Sequence, residues 1–357
     1  MKFLDEKFFF QYFLDLKNIK NVPPGEKENC RSDNEGPSAA GGKKTEEPSE
    51  KMSARFTTVP LNFGGLPRDQ CRWENSRVVF LPVPYDLTST YLAGSRRGPL
   101  AILEASTHME LYDEELDQET YRVGFHTLDP LEAVAAGPEE MIGLVEEYTR
   151  RVLSGKKFPV LLGGEHSITL GPARALKKKY PRISFLQLDA HADLRESYEG
   201  TSFSHACIGR RLAEIGPLVQ VGIRSLTRQE SLYLQKREVK TLFWHRLAET
   251  PNWEEEVLRS LSPAVYVTID LDVLDPAIMP ATGTPEPGGL NWGMLTHLLG
   301  RVARSKKVVG FDVVELTPIP GLIAPDFLAA KLIYRFLGEI FAPVLRQGKK
   351  SFAAKEK

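Results

Sequence analysis

The sequence ISFLQLDAHAD, residues 183–193, decides the fold of this chain. Its first six residues are mostly apolar, which is typical of a strand that is buried on both faces of a parallel sheet. Asp189, His191 and Asp193 follow at alternate positions, so an extended backbone places them on one face. Ligand sites in such sheets lie at the carboxyl ends of the strands, and carboxylate mixed with imidazole suits a divalent transition metal. The segment therefore predicts a metal site at a strand end.

Short apolar runs alternate with amphipathic stretches from about residue 53 onward. The apolar runs predict strands at Val78–Val83, Pro159–Leu162, Ile183–Leu188, Leu218–Val221, Thr241–Trp244, Ala264–Ile269 and Val308–Val313. The amphipathic stretches predict helices at Pro99–Ser106, Glu139–Leu153, Ile168–Lys178, Ser204–Glu214, Trp253–Ser260, Trp292–Arg304 and Asp326–Phe341. Strands that alternate with helices favour the α/β class, here a three-layer α/β/α sandwich with a mainly parallel central sheet.

The two ends of the chain differ from this central part. Residues 1–21 are predicted to form a short amphipathic helix or extension, because charged residues interrupt the apolar run that a signal peptide needs. Residues 22–52 are rich in Pro, Gly, Ser, Glu and Lys, which predicts a disordered linker. A single catalytic domain is expected over residues 53–345, followed by a basic flexible tail over 346–357.

The overall composition excludes several classes of protein. The 357 residues carry 46 Lys and Arg against 47 Asp and Glu, which gives no basic surface for nucleic acid or for an anionic membrane. No stretch approaches the roughly 20 apolar residues of a membrane span. Cys30, Cys71 and Cys207 are scattered without a C-x-x-C pair, which argues against a disulfide framework and favours a reducing, cytoplasmic setting.

Three further strand ends carry residues that can bind a metal or a cation. His166 follows the strand at Pro159–Leu162, Asp270 and Asp272 follow the next, and Glu315 follows the last. Taken singly, His166 could be a structural histidine and Asp270 could cap a turn. In a parallel sheet, however, these ends share one edge, where so many carboxylates would repel one another unless metals were bound. Two ions about 3.5–4 Å apart that share carboxylates fit this set best.

These motifs, taken in order, resemble those of the ureohydrolase family, which includes arginases and agmatinases. The resemblance rests on GSRRGP at 94–99, GGEHS at 163–167, DAHAD at 189–193, TIDLDVLDP at 268–276, GTPEPGG at 283–289 and FDVVE at 311–315. It covers roughly Phe80 to Phe336 and is closest to agmatinase. The resemblance implies an arginase-like fold and two Mn²⁺ ions per chain, with Ni²⁺, Co²⁺ or Fe²⁺ as alternatives.

The resemblance also implies a ligand set and a reaction. One ion would be held by His166, Asp189, Asp193 and Asp270, and the other by His191, Asp189, Asp270 and Asp272. Two cations would lower the pKa of a water molecule, so that hydroxide attacks the guanidinium carbon of agmatine to give putrescine and urea. Glu315 would pair with the guanidinium, Asp193 would protonate the leaving amine, and His205 matches a family position that shuttles protons or contacts the substrate.

The tail of the substrate is less well specified by the sequence. Glu196 or Glu199 could attract the ammonium group of agmatine, whereas Arg195 would suit the carboxylate of 4-guanidinobutanoate or another guanidino acid. All three side chains could also simply face solvent. Free guanidine is a further alternative substrate, and a non-catalytic homologue is the alternative from another class. The resemblance finally implies a homo-oligomer, a trimer or a hexamer.

Overall fold

The fold is organised by one sheet of parallel strands. The computed structural model describes residues 60–236, 239–247 and 249–353. In that part of the chain the strands are β1 (Val78–Val83), β2 (Phe125–Thr127), β3 (Phe158–Gly163), β4 (Ser184–Leu188), β5 (Leu218–Ile223), β6 (Lys240–Phe243), β7 (Ala264–Asp270) and β8 (Lys307–Val314). They lie in the order β2-β1-β3-β8-β7-β4-β5-β6, and all neighbours are parallel.

Helices cover both faces of this sheet. They are α1 (Gly98–Ser106), α2 (Pro138–Ser154), α3 (Leu170–Lys179), α4 (Ile208–Ile215), α5 (Arg228–Lys236), α6 (Trp244–Leu247), α7 (Trp253–Ser260), α8 (Trp292–Ser305) and α9 (Ala324–Ala353). Consecutive strand residues point to opposite faces, and accordingly Leu186 and Phe185 of β4 belong to two different apolar clusters. The Leu186 cluster includes Ile102, Val257, Leu298 and Ile333 of α1, α7, α8 and α9. The Phe185 cluster includes Ile142, Leu176 and Leu212 of α2, α3 and α4. The predicted α/β/α layering with a parallel sheet is therefore confirmed.

Some elements differ from the sequence prediction. The strand β2 and the helix α5 were not predicted, because β2 has only three residues and α5 buries only Glu230 among its side chains, which leaves no apolar period. Trp244, expected to end a strand, instead begins the short helix α6. None of the described helices is long and apolar enough to span a membrane.

Both ends of the chain include residues outside those that the structure describes. The predicted amphipathic helix over 1–21 and the predicted linker over 22–52 lie outside the described residues. The helix α9 continues to Ala353, so it includes the first residues of the segment that was predicted as a tail from residue 346. Pro343 lies inside this helix, where proline removes one helical hydrogen bond. Phe341 and Leu345 nevertheless pack on the core on either side of it, which stabilises the continued helix.

The four strands β3, β8, β7 and β4 are adjacent in the middle of the sheet. Their carboxyl ends lead directly into His166, Glu315, Asp270 and the segment 189–193, so the sheet order alone gathers the predicted site residues at one edge. The register between β7 and β8 also sets Thr268 opposite Asp312. Thr268 and Asp312 lie just before the carboxyl ends of their strands, and a hydrogen bond between His166 and Thr268 links the pair to the site.

Candidate metal centre

Five of the six predicted metal ligands meet in two groups of three side chains. The groups are His166, Asp189 and Asp270, and Asp189, His191 and Asp272, and in each the candidate ligand atoms lie within 4.8 Å of one another. Asp189 belongs to both groups, which is the arrangement of a bridging carboxylate. The sixth residue, Asp193, lies beside the first group, with its Oδ2 3.5 Å from Nδ1 of His166.

Backbone N–H groups orient the carboxylates of this centre. Oδ1 of Asp270 accepts a hydrogen bond from the N–H of Asp272 at 3.0 Å. Oδ1 of Asp272 accepts one from the N–H of Ala190 at 2.9 Å. The second oxygen of each faces an imidazole, at 3.2 Å from Nδ1 of His166 for Asp270 and at 2.8 Å from Nδ1 of His191 for Asp272. One oxygen of each carboxylate is thus fixed by the chain and the other is directed into the centre.

The hydrogen bonds behind His166 determine which ring nitrogen is available. The hydroxyl of Thr268 donates to Oδ1 of Asp312 at 2.5 Å, so its oxygen accepts from Nε2–H of His166 at 2.9 Å. The lone pair of Nδ1 then faces the carboxylates of Asp189 and Asp270, and this buried nitrogen has no hydrogen-bond partner among the described residues. Such a lone pair beside carboxylates is repulsive unless a proton or a metal cation lies between them. The donor set therefore fits a metal ion.

The titration behaviour of the centre also indicates a demand for positive charge. Burial, and then the charge of neighbouring aspartates, raises the pKa of Asp189, Asp193 and Asp270. Burial lowers the pKa of His191, but Asp272 and Asp189 outweigh it and raise the pKa to about 11. Without metal the cluster therefore takes up protons, and a divalent cation would replace them.

Two residues of the site adopt a strained backbone. Asp193 has φ 53° and Glu315 has φ 65°, which is the left-handed region. For residues other than glycine this conformation costs on the order of 1 kcal/mol or more and is concentrated at functional sites. The fold thus accepts strain where it places these two carboxylates.

Glu315 combines a fixed position with an unsatisfied charge. Its Oε1 accepts a hydrogen bond from the N–H of His166 at 2.7 Å. Burial, and then the negative charge of Glu165, raises the pKa of Glu315 to about 8. A guanidinium group next to it would supply the missing positive charge and would favour the ionised carboxylate.

His205 is held by two residues to which the sequence assigned no catalytic role. The N–H and the hydroxyl of Thr88 donate to Glu165 at 2.6 and 2.7 Å. The oxygen of that hydroxyl accepts from the N–H of His205 at 3.0 Å and lies 3.2 Å from Nδ1 of the ring. Burial, and then the charges of His166 and His191, lowers the pKa of His205 to about 4. The imidazole is therefore neutral near pH 7.

A cavity of about 370 Å³ opens beside the centre. Its wall includes the metal-ligand candidates His191, Asp193, Asp270 and Asp272 together with His205 and Glu315. The predicted catalytic residues therefore share one space with the predicted ligands. Each of the four strand ends that the sequence predicted supplies a residue to the metal centre or to the cavity wall.

Of the three residues predicted to bind the substrate tail, one lines the cavity and two do not. Arg195 lines the cavity, with its guanidinium carbon 4.1 Å from the ring centroid of Tyr198. Glu196 and Glu199 are not part of the wall, and Glu196 lies 3.3 Å from Arg210 and is 79% exposed. Glu286 lines the cavity instead. Its only signal in the sequence was its place in the GTPEPGG motif, to which no tail role was assigned.

Comparison with known protein families matches residues 76–338 to the Arginase family. The chain belongs to the arginase family. The matched range contains the whole metal centre and the wall of the cavity. The resemblance to ureohydrolases inferred from the motifs is therefore confirmed.

Several arginase-family relatives match over most of their length. An N(1)-aminopropylagmatine ureohydrolase of Thermus thermophilus is 42% identical over 74% of this chain and 91% of its own. An agmatinase of Pyrococcus horikoshii is 34% identical over 73% of this chain and 90% of its own. The crystal structure of the agmatine ureohydrolase of Thermoplasma volcanium is 32% identical, with a TM-score of 0.72 over 81% of this chain and 96% of that one. This arginase-family protein is accordingly a hydrolase of the ureohydrolase type.

The pair Thr268 and Asp312 gives a first prediction for the arginase-family centre. Replacing Thr268 with valine removes the acceptor for Nε2–H of His166 while keeping the shape of the side chain. We expect an affinity for Mn²⁺ that is about 10- to 100-fold lower, because the ring of a ligating histidine is oriented by its outer partner. Titration of the metal-free protein with Mn²⁺ measures this, with Thr296→Val on the remote helix α8 as the matched control. An unchanged affinity would contradict the prediction.

Proposed function

We propose that this protein hydrolyses the guanidinium group of agmatine to putrescine and urea with the help of two divalent metal ions, Mn²⁺ in the first place. The observation that carries the proposal is the pair of ligand groups that share Asp189 beside a cavity lined by Glu315 and His205. The agmatinase of Pyrococcus horikoshii and the agmatine ureohydrolase of Thermoplasma volcanium support the choice of substrate.

The residues that would hold the metals are the two groups, with Asp193 added to the first and Asp270 to the second as the family resemblance implies. One ion would be bound by His166, Asp189, Asp193 and Asp270, and the other by His191, Asp189, Asp270 and Asp272. When bound, two such ions lower the pKa of water and so supply a nucleophile at neutral pH. The protein contributes the fixed carboxylate oxygens and the oriented imidazoles.

The remaining residues bind the substrate and move its protons. Glu315 pairs with the guanidinium and holds its carbon next to the centre. Water adds across the bond between this carbon and the alkyl-bearing nitrogen, so that its oxygen ends in urea and the carbon–nitrogen bond breaks. Asp193 delivers a proton to the departing amine, and neutral His205 can accept and pass on a proton in the same cavity.

N(1)-aminopropylagmatine is a second candidate substrate. It is favoured by the 42% identity to the ureohydrolase of Thermus thermophilus that bears its name. The guanidinium chemistry would be unchanged, and only the tail would be longer by an aminopropyl group. The choice between the two depends on the outer part of the cavity.

The cellular setting and the assembly are also part of the proposal. Cys71 and Cys207 are both unpaired, which supports a reducing, cytoplasmic location. Family resemblance supports a homo-oligomer, a trimer or a hexamer. Sedimentation of the purified chain would test the latter directly.

Urea release from a panel of guanidino compounds tests the proposed function. The Mn²⁺-loaded protein is assayed with agmatine, N(1)-aminopropylagmatine, arginine, 4-guanidinobutanoate and guanidine. We expect kcat/KM for one of the two cationic-tailed amines to exceed that for arginine, 4-guanidinobutanoate and guanidine by at least about tenfold. A protein that retains about two metal ions per chain and releases no urea from any compound would instead be a non-catalytic homologue.

A further inference from the structure

Glu286 lies at the outer edge of the metal centre. Its Oε1 is 3.7 Å from Nε2 of His191, the ring nitrogen opposite the one that faces Asp272. Its side chain is 35% exposed and forms part of the cavity wall. The imidazole of His191 thus separates Glu286 from the centre of the ligand cluster. This places Glu286 where the part of a substrate beyond its guanidinium would pass.

Glu286 differs from the other carboxylates in the cavity wall. Asp193, Asp270 and Asp272 belong to the metal centre, and Glu315 accepts a hydrogen bond from the backbone beside it. The remaining one, Glu230, accepts three hydrogen bonds from Leu194 and Thr227. The carboxylate of Glu286 accepts no hydrogen bond from any described residue. It is therefore the cavity-lining carboxylate that is available to a ligand outside the metal centre and the guanidinium pocket.

Arg224 fixes the backbone that carries Glu286. Its guanidinium donates to the carbonyls of Glu286 at 2.9 Å and Pro287 at 3.1 Å, and also to the carbonyl of Asp272 at 2.7 Å. On the other side, Gly289 has φ 128°, and a Cβ there would lie 2.7 Å from the backbone nitrogen of Asp275. The segment is thus tied to the metal-centre strand end. A charge on such a fixed backbone is preorganised for binding.

We propose that Glu286 selects substrates whose tail carries a positive charge. The inference rests on the proposed amidinohydrolase function and identifies the residue that recognises the end of the substrate away from the guanidinium. The ammonium of agmatine, or a secondary amine of a longer polyamine tail, is attracted by this carboxylate. Arg195 is the opposing group, because its guanidinium, held against the ring of Tyr198, favours an anionic tail. The relative strength of the Glu286 and Arg195 charges at the substrate tail determines whether a cationic or an anionic tail is preferred.

Substrates that differ only in tail charge test the inference. Agmatine, n-butylguanidine and 4-guanidinobutanoate share the reacting group and a similar chain, with a cationic, a neutral and an anionic end. In Glu286→Gln we expect the ratio of kcat/KM for agmatine to that for n-butylguanidine to fall about tenfold. Glu286→Lys is expected to raise the ratio for 4-guanidinobutanoate over agmatine above that of the wild type. Glu110→Gln, an exposed carboxylate outside the cavity, is the matched control.

The possible outcomes separate the two proposals. An unchanged agmatine-to-butylguanidine ratio in Glu286→Gln would overturn the role of Glu286 and leave the proposed function intact. An equal loss on both substrates would overturn it as well, since it would mean that Glu286 acts on the metal centre through His191. A wild-type protein that releases urea from none of the three, nor from N(1)-aminopropylagmatine, would refute the proposed function itself.

Discussion

Replacing Asp189 with asparagine is expected to lower kcat/KM for agmatine by at least about 10³-fold, because metal ions contribute several kcal/mol of transition-state stabilisation. Asp189 is the one ligand candidate that belongs to both groups, so its loss affects both ions. The N–H of His191 and the amide of Gln187 donate to its two oxygens, and asparagine can accept only one of these bonds. We expect the variant to retain fewer than two metal ions per chain. Metal analysis after gel filtration and urea release measure the two effects.

Asp69→Asn is the appropriate control for this experiment. Asp69 is exposed and lies outside both ligand groups, so the same chemical change there should leave metal content and turnover as in the wild type. An Asp189→Asn protein with two bound ions and activity within tenfold of the wild type would refute the shared-ligand assignment. Because metal content is measured independently, the assignment can fail even if the natural substrate differs from agmatine.

Much of the centre could be predicted because it depends on residues that are close in sequence. The buried strand β4 ends at Leu188 and leads directly into Asp189 and His191, so the predicted strand placed both residues at the carboxyl edge of the sheet. Asp270 ends the strand β7, and Asp272 lies in the single 3₁₀ turn, Leu271–Val273, that follows it rather than in a continued strand. The common edge then follows from parallel pairing.

The remainder depends on contacts between segments that are far apart in sequence. The hydrogen bond from Thr268 to Asp312 needs the register of β7 against β8, which no local pattern specifies. The contact between Thr88 and His205 joins two loops 117 positions apart. The residues predicted to bind the substrate tail also depend on contacts between distant segments. Glu196 closely follows the DAHAD segment but pairs with Arg210, whereas Glu286 reaches the cavity from a loop that is distant in sequence.

Replacing Glu315 with glutamine is expected to keep the metal and lose the reaction. The amide oxygen of glutamine can still accept the hydrogen bond from the N–H of His166, so the local structure should persist. The negative charge that faces the guanidinium is lost, and the charge-assisted pair is lost with it. We therefore expect kcat/KM to fall by at least about 100-fold. Urea release from agmatine and metal analysis of the same preparation measure the two properties, with Glu110→Gln as the control.

The comparison of Glu315→Gln with Asp189→Asn distinguishes the binding of metal from the binding of guanidinium. Asp189→Asn should lower both metal content and turnover, whereas Glu315→Gln should lower turnover alone. The side chain of Glu315 accepts a hydrogen bond from the backbone N–H of His166, and glutamine can keep this bond, so a purely structural role would leave metal content and turnover close to those of the wild type. Retained metal together with a kcat/KM close to that of the wild type would show that the charge of Glu315 does not act on the substrate. Retained metal with lost turnover is the result that a guanidinium-binding carboxylate requires.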